Sequence, residues 1–82
     1  MGLFGILKKQ KEKARLQLRK RRLLSEISVA RQFLRADQAV LDSIERGSER
    51  YKETKAEIDK WKIDYNGLEE ELREVNIQLG KL

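Results

Sequence analysis

Eighty-two residues without cysteine, histidine or proline form at most one small domain, and a chain this short buries only about 60% of its unfolded surface. Forty per cent of the residues are charged, a Leu-, Glu-, Lys- and Arg-rich composition that points to long helices or coiled coil. The same composition excludes disulfide staples, thiolate chemistry and an ordinary general base for neutral pH, and no stretch approaches the roughly 20 apolar residues of a membrane span.

The chain opens on MGLFGI, and lysines follow at once. Residues 1–14 read as an amphipathic, basic anchor, with Leu3, Phe4, Ile6 and Leu7 as its apolar surface and Lys8 and Lys9 as its first cations. The apolar run is too short for a signal peptide and no small-residue cleavage site follows, so secretion by that route is not expected. Myristoylation of Gly2 wants Ser or Thr where this chain has Ile6, which argues against a lipid anchor. Residues 8–22 hold nine Lys or Arg and one Glu, a local charge of +8 within a chain of net +5. The balance is acidic and gathers at Asp64, Glu69, Glu70, Glu71 and Glu74, so the two ends carry opposite charge.

Residues 15–46 and 49–82 read as two helices joined by a turn at 47–48. From Leu16 onward almost every seventh residue is apolar: Leu16, Leu23, Ala30, Ile44, Tyr51, Ile58, Tyr65, Leu72 and Leu79, with Asp37 the exception. That period is the mark of a helical seam. Its companion position lies four residues on in the first half (Ile27, Leu34, Leu41) and three on in the second (Trp61, Leu68, Val75, Leu82). Between the halves sits Arg46-Gly47-Ser48, where Gly suits a C′ position and Ser the next N-cap. Folding back there sets Ile44 level with Tyr51, Leu34 with Trp61, Ala30 with Tyr65, Ile27 with Leu68, Leu23 with Leu72 and Leu16 with Leu79. Apolar meets apolar throughout, and the small Ala30 faces the large Tyr65, as interdigitation prefers.

The expected fold is therefore all-α: an antiparallel, coiled-coil-like two-helix hairpin with a protruding amphipathic N-terminal segment. The alternative is one continuous helix in a coiled-coil oligomer. Charge favours the hairpin, because Lys20, Arg21 and Arg22 then lie near Glu70, Glu71 and Glu74, whereas a parallel dimer stacks two +8 segments. Val29, Phe33, Ala36 and Val40 follow a 4, 3, 4 spacing beside the seam, wider than one partner helix covers, and read as an oligomer surface. Leu3, Phe4, Leu7, Ala14 and Leu18 fall almost opposite the seam, so the first helix must bend near residues 15–22 or present two faces to two partners.

An apolar face followed by Lys8, Lys9, Lys11 and Lys13 suits an anionic membrane interface. GLFGILKK resembles amphipathic antimicrobial and fusion peptides, which implies shallow insertion into bilayers. MGLFG, lysines and a helical hairpin together resemble the start of proteins of the ESCRT-III and phage-shock superfamily, which implies membrane binding through that N-terminus; the chain is too short for the further helices with which those proteins polymerise. The same apolar segment can instead dock in a groove of a partner protein. Lys11, Lys13, Arg15, Arg19, Lys20, Arg21 and Arg22 can meet lipid headgroups or, in the competing reading, the phosphates of nucleic acid without sequence preference, in a virion or nucleoid. No aromatic lies within 8–22 to stack on bases. Catalysis, a cofactor, a resident metal and a small-molecule substrate are not expected. The serines lack a base partner, the glycines form no phosphate loop, and Glu70 with Glu74 offers at most a weak divalent contact on a solvated helix face. The function expected is that of a structural or assembly protein, or a coiled-coil adaptor, in the cytoplasm, at a membrane periphery or within a virion.

Overall fold

The computed structural model describes residues 2–82 and consists of two helices, α1 (Gly2–Ser43) and α2 (Glu49–Lys81). Met1, the first residue of the anchor read from the sequence, lies outside the described residues. The molecule measures 66 × 14 × 14 Å. At 1.5 Å per residue, the 42 residues of α1 account for about 63 Å of that length. The chain thus folds back on itself as a hairpin, and α1 runs through residues 15–22 without a break. It presents two faces; it does not bend.

The turn occupies residues 44–48, and α1 ends at Ser43, three residues before the end expected at 46. Ser43 donates its hydroxyl to the Val40 carbonyl at 2.7 Å, a local bond that competes with the helical ladder. Ile44 then tucks half-buried toward the seam. Gly47 takes a φ of +88°, a conformation open to glycine at little cost. Ser48 caps α2: its Oγ accepts from the Tyr51 N–H at 3.1 Å and donates to the Glu45 carbonyl at 2.9 Å. Glu49, in the first turn, suits the positive end of the helix dipole. A methyl at position 47 meets no atom within 4 Å, so Gly47→Ala carries backbone strain alone. Its expected cost is roughly 1–2 kcal/mol, read as a lower urea midpoint with an unchanged slope.

One face of each helix makes the core. Leu16, Leu23, Ile27 and Ala30 of α1 and Thr54, Ile58 and Val75 of α2 are buried. Leu34, Leu41, Ile44, Tyr51, Trp61, Tyr65, Leu68, Leu72 and Leu79 are half-buried between them. Every seam residue expected from the periodicity lies on this interface except Leu82, which is exposed and only caps α2 through a bond from its N–H to the Leu79 carbonyl. Cross-helix contacts fix the register. Phe33 stacks on Trp61, Arg31 reaches Tyr65, and Leu68, Leu72 and Leu79 pack on the Leu16, Leu23 and Val75 cluster. Ala30, opposite Tyr65, is 1% exposed. The wide ring of a Tyr fits only where the facing side chain is small.

Candidate docking surfaces

The buried seam stops at Leu16 and Leu79. From residue 2 to residue 15 every side of α1 is exposed, with Phe4 at 85% and Leu3 at 75%, and Ile6 and Leu7 each more than half exposed. Four large apolar side chains within five positions of a helix form a patch of the kind that marks an interaction site. Phe4, Leu7, Lys8, Gln10 and Lys11 line one shallow groove along it. Lys11 thus stands on the same side of α1 as Phe4 and Leu7, where the helical spacing of 4, 7 and 11 places it.

The cations read as phosphate or headgroup ligands stand in solvent. Lys8, Lys9, Lys11, Lys13, Arg15, Arg19, Arg21 and Arg22 are exposed, and Lys20 is half-buried at the seam. Among the described residues only Arg19 of these nine forms an ion pair, with Glu71 at 3.8 Å. The predicted partners Lys20, Arg21 and Arg22 make none, because the seam turns Lys20 inward and its neighbours outward. Both members of the Arg19–Glu71 pair are about half exposed, so its worth is under about 1 kcal/mol. Glu70 pairs with Arg73 at 3.9 Å on the exposed face of α2. Among the described residues no three His, Cys, Asp or Glu side chains gather as a metal-binding group.

The second surface lies beside the seam. Val29, Phe33, Ala36 and Val40 are all exposed. The Phe33 and Trp61 rings stack with centroids 4.9 Å apart and planes 2° from parallel. Trp61 and Tyr65 are both half-buried at the seam. Trp61 meets the Phe33 ring, and the Tyr65 hydroxyl accepts from Arg31 at 3.2 Å. That bond, with Glu69 nearby, holds Arg31 further into its protonated form. Trp61 also walls an open cleft with Glu26, Val29, Asp64 and Gly67. Gly67 leaves it open because no side chain fills that position. This glycine in the interior of α2 is the one sequence signal for the cleft, and periodicity passes over it.

No helix of the described residues is long and apolar enough to cross a membrane. Comparison of the chain with protein-family models, with curated protein sequences and with solved structures finds no match in any of the three.

Proposed function

We propose that this chain is a non-enzymatic docking and assembly protein whose N-terminal helix lies in the interface of an anionic membrane. The observation that carries this reading is the exposed helical stretch of residues 2–15, with Leu3, Phe4, Ile6 and Leu7 beside unpaired Lys8, Lys9, Lys11 and Lys13. Burying one such side chain in an apolar phase is worth about 1.5–3 kcal/mol, and each lysine near an anionic surface adds about 1 kcal/mol. Lys11 within the apolar face suits a lipid boundary, where its ammonium reaches the headgroup layer. A dry protein groove would leave that charge unpaired. The hairpin seam faces the other way and is free to stay folded while the anchor is seated.

The test is co-sedimentation of the full chain with vesicles of phosphatidylcholine alone or with one-third phosphatidylserine. Binding is expected on the anionic vesicles, with a loss of at least tenfold in affinity for Phe4→Asp or on deletion of residues 2–7. The melting curve should stay unchanged, because none of these side chains is buried. Binding that survives the deletion sinks the reading. The unpaired cations of residues 8–22 favour nucleic acid as the second reading. Retardation of DNA or RNA at moderate salt, equal with and without residues 2–7, would move the function there.

A further inference from the structure

The stripe beside the seam has a symmetry of its own. The spacing from Val29 to Phe33 to Ala36 to Val40 is four, three, four, and so reads the same in both directions. A two-fold contact places residue i of one copy on residue j of the other and j on i, so an antiparallel pair of identical helices needs a palindromic pattern. Laid against a second α1, this stripe sets Val29 on Val40 and Phe33 on Ala36, then repeats both pairings in reverse. Large meets small at the centre and branched meets branched outside it, which is how facing helices interdigitate. We infer that two copies of this chain pair through α1 in an antiparallel, two-fold contact centred between Phe33 and Ala36.

Electrostatics select the direction. Each α1 carries its +8 run at residues 8–22. A parallel pair stacks these runs side by side. The antiparallel pair moves them out past the partner's turn, where at 1.5 Å per residue their centres stand roughly 60 Å apart. That is many times the Debye length of about 8 Å at physiological salt, so the repulsion vanishes. The exposed surface argues for a cover of some kind. The chain exposes 6975 Å², against about 5,100 Å² for a globular monomer of its mass. Val29, Phe33 and Val40 remain 46%, 49% and 37% exposed after the hairpin has closed.

The contact has a consequence for the N-terminal segments. The stripe lies about 100° around α1 from the seam, and Leu3, Phe4 and Leu7 lie nearly opposite the seam. The two-fold axis stands at right angles to both α1 helices, between them. It therefore keeps both α2 helices on one side of the pair and turns both N-terminal apolar faces out of the other. The dimer presents two anchors, roughly 90 Å apart, to a single plane. This last step rests on the membrane reading proposed above; the pairing itself does not. Four side chains per copy cover far less than the roughly 800 Å² per partner of a standard interface. The pairing is accordingly expected to depend on concentration in solution, with bivalence raising the effective affinity on a vesicle.

Sedimentation equilibrium of the full chain, in lipid-free buffer from roughly 1 to 500 μM, tests the pairing. The expected result is a mass that rises toward twice the monomer. Ala36→Lys, which sets a cation at the two-fold beside Phe33 of the second copy, should hold the chain monomeric at unchanged helicity, and Val29→Lys should do the same. Because the chain has no cysteine, single-cysteine variants report geometry cleanly. Ala36→Cys should oxidise to a disulfide dimer, and Lys13→Cys should not. A monomer at every concentration overturns the inference and leaves the stripe to a different protein. A dimer indifferent to both lysine substitutions overturns it too, as does a disulfide formed equally well at 13, the result of parallel pairing. With no lipid in these measurements, their failure leaves the membrane reading standing, and a failure to bind vesicles leaves the pairing standing.

Discussion

Leu23→Ala should cost this hairpin roughly 2–5 kcal/mol, a large part of its stability. Leu23 is 3% exposed and belongs, with Leu16 and Val75, to a cluster on which Leu68, Leu72 and Leu79 pack. The core of a two-helix hairpin is a single row of side chains, so no second layer can move in to fill a void. At about 0.05–0.15 kcal/mol per residue, a domain of this size has about 4–12 kcal/mol in total, and an exposed surface well above the globular expectation puts it toward the lower end. The melting temperature should fall by roughly 10 °C or more. Urea unfolding followed by helicity should show a lower midpoint at the same slope. Ile63→Ala is the control: Ile63 is 72% exposed at the edge of the cleft beside Trp61, and its truncation should change stability by under about 0.5 kcal/mol. Equal effects at the two positions would mean that the open end of the hairpin is not packed as described.

What the sequence could and could not disclose follows from what each signal depends on. The seam was legible because burial against one partner demands a strict alternation of three and four residues, and that alternation is written in Leu16, Leu23, Ile27, Ala30 and their counterparts on α2. The fold-back was legible because Gly47 and Ser48 each have a local backbone reason to be there. Thr54 was missed: it is buried on the seam, but its hydroxyl hides its methyl from a reading by polarity. The ion pairs were misplaced because charge order along a chain gives the direction of pairing and not which of four adjacent cations the helix turns toward its partner. Trp61 was given its level but not its neighbour. A ring on the rim of a seam can lean either way, and only the position of Phe33 on the same rim decides it.

Asp37→Leu should raise the stability of the hairpin. Asp37 occupies a seam position, level with the buried Ile58, and interrupts the otherwise apolar run from Leu16 to Ile44. It is half-buried, and its Oδ2 is out of reach of solvent with no hydrogen-bond partner. A buried acceptor left unmatched costs about 1–3 kcal/mol, and a leucine there adds apolar burial of similar size. The expected result is a rise in melting temperature of roughly 5–15 °C. Asp37→Asn should give much less, because it keeps a polar atom in the same place. The leucine should also have a cost in specificity. A single polar residue in an apolar seam restricts which registers and partners the helix accepts. With it gone, α1 offers an unbroken seam to any other α1. Sedimentation of Asp37→Leu at high concentration should therefore show species larger than a dimer, together with the higher melting temperature. A fall in melting temperature would mean that the carboxylate is satisfied by solvent and that the seam is looser at this level than its burial indicates. A rise without larger species would mean that the register is held by Gly47 and Ser48 at the turn and not by Asp37 on the seam.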